Sequence, residues 1–349
     1  MAAKDAGRAF IGSFTSEGGR GIVTAAVDRE TGALTVLAAT DAVADPSFLA
    51  LARGGAVLYA VSETADGAAA AFAVAGGRAE LLGVPVPVRG SAPTHLALVG
   101  RHLLTANYGS GSITVLPVRP DGRLGEAVSV LPHKGAGPDP ERRRGPHAHQ
   151  VVTDPSGRWV LGVDLGTDSV HVFVLDTASG VPRPHGVTAL RPGTGPRHMA
   201  FHPDGCHAYV LCEFEPTLTA CRWDAQAGLL EPLGETPVLP EGTEVTGHPS
   251  EVVVSQDGRF LWAAVRGSDS IAVLALDGVG SVDEPVLVTT VDCGGHWPRD
   301  LALDPSGRRL YAANERSGDV TWFAIDERTG IPRRAGSIEA PAASCVVFA

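Results

Sequence analysis

Apolar and polar residues alternate along this chain in short runs separated by glycine-rich turns, and the layout repeats. Four stretches share it: HQVVTDPSGRWVLGVDLGTDSVHVFVLD (149–176), RHMAFHPDGCHAYVLCEFEPTLTACRWD (197–224), SEVVVSQDGRFLWAAVRGSDSIAVLALD (250–277) and RDLALDPSGRRLYAANERSGDVTWFAID (299–326). Each holds an apolar run, a tight turn closed by glycine, a second apolar run, a polar turn and a third alternating run. Weaker copies occupy 47–74, where Arg-Gly-Gly replaces the proline turn, and 94–118, where the turn is two residues shorter. Several copies end in D-x-x-(S/T/A)-G (DRETGAL, DTASGVP, DAQAGLL, DERTGIP), a reversal into a fourth strand. The runs are too short and too β-branched for helices. The turn glycines Gly157, Gly205, Gly258 and Gly307 recur about every 45–53 residues, the length of a four-stranded propeller blade.

Six copies are visible, and a seventh assembles from the two ends. RAFIGSFTSEGGRGIVTAAVDRETGALTVL supplies its second to fourth strands and the terminal ASCVVFA its first. The expectation is therefore an all-β, seven-bladed propeller of antiparallel four-stranded blades. It forms one domain over 8–349 behind a flexible lead-in at 1–7, and the N- and C-terminal strands close the ring and remove its open edges.

Composition supports a packed β domain. The 349 residues are 44% hydrophobic and 19% charged, with 43 glycines and 26 prolines. A formal net charge of -11 argues against nucleic acid or an anionic membrane as partner, so a site for an anionic substrate must build its own positive patch. No apolar run reaches the 18 residues of a membrane helix, and MAAKDAGRAFIGSF lacks a signal layout, so a cytoplasmic monomer or small homo-oligomer is expected. Five cysteines without a C-x-x-C pair read as buried thiols rather than a disulfide or zinc framework.

Candidate chemistry follows from the hairpin formed by the first two strands of each blade. Residues eight before and eight after the turn glycine lie at the same end of the blade. The pairs are Ser47/Glu63, His149/Leu165, Arg197/Glu213, Ser250/Arg266 and Arg299/Glu315, joined by Thr94/Tyr108 in the shortened copy and Ser344/Phe14 in the closing blade. Innermost strands converge on the channel, so three arginines, three glutamates and a histidine meet on one rim. Such charges pair with one another, stay solvated, or meet a ligand. In GPHAHQV, His149 is the rim residue and a candidate base, with His147 just above it. A zinc reading of H-x-H would need a third ligand, for which Asp164 is the candidate. Arg142, Arg143 and Arg144 form a basic run in the preceding loop, either solvated or reaching the mouth. GSGS (109–112) is a hairpin turn, since no helix follows it, and neither a nucleophile elbow nor a dinucleotide fingerprint is present.

GPHAHQVVTDPSGRWVLGVDLG, GPRHMAFHPDGCHAYVLCE, THLALVGRHLLTANYGSGSITV and WPRDLALDPSGRRLYAANE resemble the seven-bladed propeller lactonase family over essentially the whole chain. That family includes propeller-type 6-phosphogluconolactonases and the fungal carboxymuconate lactonizing enzyme. The resemblance implies a rim site of one histidine, two arginines and a glutamate, matching His149, Arg197, Arg266 and Glu213. Cys212 and Val265 stand where the family more often has asparagine. The implied activity is hydrolysis of a sugar lactone of the 6-phosphogluconolactone type without metal or redox cofactor. His149 acts as base, Glu213 orients it or a water or shuttles the proton, and Arg197 and Arg266 hold the carbonyl oxygen and an anionic group. His147, Arg299, Glu315, Tyr108 and Glu63 complete the substrate-binding set. A lactone-forming cycloisomerase and a hydrolase of another lactone are the enzymatic alternatives. A non-catalytic binding propeller is the third, favoured if the rim charges pair off and the mouth is blocked.

Overall fold

A computed structural model describes residues 7–137 and 145–349; the arginine run 142–144 and all of the expected lead-in except Gly7 lie outside them. The described strands form seven antiparallel sheets, each an elementary four-stranded blade, with one extra short strand on the second. Gly7 already belongs to the strand Gly7–Ser13, where it pairs with Val27. The terminal strand Ala343–Phe348 adds to the same sheet on the other side, placing Phe10 opposite Val347 and Ile11 opposite Val346. This is the expected closure. The described residues contain no helix long and apolar enough to cross a membrane.

The turns explain why the chain folds back where it does. In the blade that begins at His149, Asp154 accepts hydrogen bonds from Ser156 N (3.2 Å) and Trp159 N (2.8 Å), and Gly157 N donates to Asp154 O (2.9 Å). Gly157 closes that turn at φ 73, a left-handed conformation open to glycine at little cost. The outer reversal uses the same device: Asp176 Oδ1 accepts from Ala178 N (3.0 Å), and Gly180 N returns to Asp176 O (2.7 Å).

The core is a ring rather than a ball. Seven apolar clusters each draw on two neighbouring blades, as where Trp159, Leu161 and Val172 meet Met199, Val210 and Trp223. Aromatics at one repeat position staple four of the blades to the next. Tyr59 donates to Gly122 O (2.9 Å), Tyr209 to Val282 O (3.0 Å), Trp262 to Gly330 O (2.8 Å) and Tyr311 to Gly32 O (2.8 Å). Each buries its ring while its polar tip finds a partner. Four of the five cysteines are buried, and Cys206, in the D-G-C-H turn, is exposed.

Candidate active site

A repeated irregularity builds the rim. In six blades the register of the innermost strand slips at the rim position, so that His149, Arg197, Arg299, Ser344 and Thr94 are skipped in the ladder, as are Ser250 and Glu251 together. A bulge puts two residues opposite one and re-aims their side chains. The residue two positions earlier prepares the bend: Asp45, Ala92, Gly195, Trp297 and Ala342 all have φ between 45 and 67. The second strand is fastened to that bend. Glu63, Tyr108, Leu165, Glu213 and Glu315 each donate their N–H to the carbonyl of the residue two before the rim position, at 2.7–3.1 Å.

The rim charges then meet. Glu213 Oε2 lies 3.2 Å from Arg197 Nε and 3.0 Å from an Arg266 terminal nitrogen. The first contact is electrostatic, because the Arg197 Nε–H does not point at the oxygen. Arg197 also donates to Ser250 O, and Arg266 donates to His248 O (3.0 Å) and Pro249 O (3.2 Å). Arg299 binds Glu315 at 2.9 Å, approaches Glu63 at 3.9 Å and stacks over Phe14 at 4.7 Å. Ser47 donates to Glu63. Burial would push Glu213 up, but Arg266 and Arg197 together hold it below its ordinary value. Burial and the adjacent Arg266 push Arg197 down to about 9, still charged at neutral pH. Glu63 is raised, because burial outweighs Arg299.

His149 sits among these groups, 6% exposed, its ring 5.0 Å from that of His198 and 5.7 Å from that of Tyr108. Burial first, then Arg197, pushes His149 well below its ordinary value, so it is neutral at pH 7 with a lone pair to offer. Tyr108 stacks on His147 at 4.5 Å, and the His147 ring is fixed by a 2.9 Å bond between Nδ1 and Tyr108 O.

The nine site residues expected from the sequence therefore gather at one end of the channel, with Tyr108 and His147 on its flank. The zinc expectation gains no support. Asp164 turns away from His149: one oxygen meets His133 Nδ1 at 2.7 Å and the other accepts N–H groups of His147, Gly166 and Thr167. His133, Asp164 and His171 lie close enough to share an ion, but the two rings stack in parallel at 3.8 Å, so their lone pairs run side by side rather than converging.

Sequence reasoning missed the residues next in the chain. Strand alternation sends neighbours to opposite faces, yet His198, Glu251 and Asp300 share a chamber with His149, Arg197 and Arg299, because the bulges turn both members of Arg197/His198 and of Arg299/Asp300 inward and bring in Glu251 from the longer slip. Trp297 was also missed. It takes φ 67 at the bend where Gly195 stands two blades earlier, and Arg316 and Arg266 pack over its indole at 3.4 and 5.6 Å.

A family model for a seven-bladed β-propeller lactonase matches residues 8–348. A 6-phosphogluconolactonase of Bacillus subtilis is 33% identical over 97% of both chains. Among solved structures, a Bacteroides fragilis protein superposes with a TM-score of 0.92 at 29% identity, covering 100% of this chain and 99% of that one. A periplasmic gluconolactonase of Pseudomonas aeruginosa superposes at 0.90 with 28% identity, covering 99% of each. By architecture, by rim and by these likenesses, the chain belongs to the seven-bladed β-propeller lactonase family.

Proposed function

We propose that this protein hydrolyses a sugar lactone bearing an anionic group, 6-phosphogluconolactone being the first substrate to try. The observation that carries the reading is the pair of buried guanidiniums, Arg197 and Arg266, sharing the single carboxylate of Glu213 beside a neutral His149. Two cations on one anion leave a positive charge for a ligand. That feature also weighs against the closed ionic plug that the pairing of Arg299 with Glu315 would otherwise suggest.

In the proposed reaction, the oxygen of a water forms a bond to the lactone carbonyl carbon while His149 takes one of its protons. The carbonyl π pair moves onto oxygen, where Arg197 and Arg266 balance the new charge. The ring C–O bond then breaks, its electron pair goes to the ring oxygen, and the proton on His149 passes to that oxygen as the hydroxyl leaves. Glu213 bridges the two guanidiniums. Arg299 and the flank of Tyr108 and His147 hold the remainder of the sugar. His149→Ala should abolish turnover of freshly made 6-phosphogluconolactone while the circular dichroism spectrum is unchanged. Turnover surviving that substitution removes His149 from the mechanism. A panel of phosphorylated and non-phosphorylated lactones distinguishes a sugar-phosphate hydrolase from a hydrolase of other lactones.

A further inference from the structure

Beneath the arginines and glutamates, the bulged strands of three successive blades contribute a chain of buried ionisable groups that the reaction above does not use. His198 Nδ1 lies 2.7 Å from Glu251 Oε2, and both side chains are at least nine-tenths buried. Glu251 Oε1 accepts the N–H of Val252 at 2.9 Å. Asp300 lines the same chamber close enough for the Glu251 charge to act on it, and accepts the N–H of Val346 at 2.7 Å from the chain-closing strand. Glu251 thus has the Val252 N–H on one oxygen and His198 Nδ1 against the other, whereas the Val346 N–H occupies one oxygen of Asp300. Two carboxyls in buried contact keep one proton between them. Burial raises both, Glu251 to about 7 and Asp300 well above its ordinary value. With Asp300 as the donor, Glu251 is the carboxylate that faces His198.

That assignment fixes the histidine. A carboxylate on Nδ1 makes it the N–H nitrogen and leaves Nε2 as an acceptor. Among the described residues, His198 Nε2 and His149 Nδ1 are buried without a protein partner. Both rings line one small polar chamber, with centroids 5.0 Å apart, and Ser47, Thr94 and Ser344 line it too. The chamber has room for about one water, and a water needs two to four polar partners to stay in such a place. The charged groups around His198 are Arg197, Arg266, Arg299, Glu213 and Glu251; burial, then Arg197, holds the ring neutral.

We propose that this chamber seats the attacking water, that His198 Nε2 accepts one of its hydrogens while His149 takes the other, and that Glu251 and Asp300 act through His198 as positioning residues fixing its Nδ1–H tautomer. The water then attacks from the channel side a lactone held from the mouth side. This rests on the lactonase reading, but its central element, the tautomer, is measurable without any substrate.

The test combines nitrogen-15 NMR of the histidine rings in the full-length protein with steady-state kinetics on 6-phosphogluconolactone. Wild-type His198 should be neutral and protonated on Nδ1 at pH 7. Asp300→Asn should preserve that tautomer, because the amide N–H donates to Glu251 as the protonated acid does and its oxygen still accepts from Val346; loss of the Nδ1–H tautomer in this variant overturns the role given to Asp300. Glu251→Gln should reverse the tautomer, since its oxygen is needed by Val252 N–H and its amide hydrogens then face the ring. It should lower kcat by about 100-fold or more with KM changed less than about threefold, the range seen when a hydrolase histidine is held in the wrong tautomer. A wild-type His198 protonated on Nε2 overturns the proposal, as does Glu251→Gln with undiminished kcat. Wild-type protein that turns over no lactone, while the tautomer is as expected, overturns the lactonase reading instead and takes the catalytic role of the seat with it.

Discussion

Replacing Glu213 by glutamine tests whether one carboxylate holds two buried cations. Arg197 and Arg266 are 3% and 7% exposed at their side chains, and Glu213 is 19% exposed. Removing one partner of a buried ion pair costs about 3–5 kcal/mol, and a glutamine that still accepts a hydrogen bond places this case near about 3 kcal/mol. For a domain of this size that lowers Tm by about 4 °C. The direction with pH follows from the depressed pKa. Glu213 titrates below its ordinary 4.5 in the folded protein, so its stabilisation is present above that value and fades as pH falls through the folded pKa. Wild type and variant should therefore converge in Tm on acidification. Two guanidiniums without their carboxylate also make a better anion site. Inorganic phosphate at about ten times its Kd should restore about 1.4 kcal/mol to the variant, and less to the wild type. Differential scanning calorimetry across pH and phosphate concentration reads all three effects. A variant as stable as the wild type at pH 7, and no more responsive to phosphate, would refute the shared-carboxylate argument.

Two further outcomes are expected. Because burial and Arg197 push His149 well down, the acid limb of kcat/KM should be that of Glu251, raised to about 7, and should be absent from the residual activity of Glu251→Gln; a limb at 6.5 or above that persists in that variant would show a solvated histidine base instead. Deleting residues 343–349 removes the innermost strand of the closing blade, exposes the edge of Gly7–Ser13 and strips Asp300 of its Val346 donor. The product should aggregate on expression, and a soluble, cooperatively melting protein would show that closure is dispensable.

Much of the site was legible because a hairpin is a local object. Counting outward from Gly205 reached Arg197 and Glu213, and counting from Gly307 reached Arg299 and Glu315, since both strands leave the turn in step. The same count brought in Arg266, although it shares no ladder contact with Ser250: the second strand ends at the same height whichever residue the bulge skips. What the count could not supply was partnership. Arg266 belongs to the blade after Glu213, and nothing in either hairpin says that the two share an oxygen contact. Asp164, the last residue of the strand Val160–Asp164, serves instead to clamp His133 and the turn at Gly166.

The chain alone determined the blade, its repetition and the closing of the ring by its two ends, because period-two alternation and glycine turns act over a few residues. Only the tertiary structure decided that His198, Glu251 and Asp300 face the same chamber as the residues before them. A one-residue bulge reverses the side on which everything after it points, and that slip is set by the packing of seven blades around one axis, where no run of residues carries its mark.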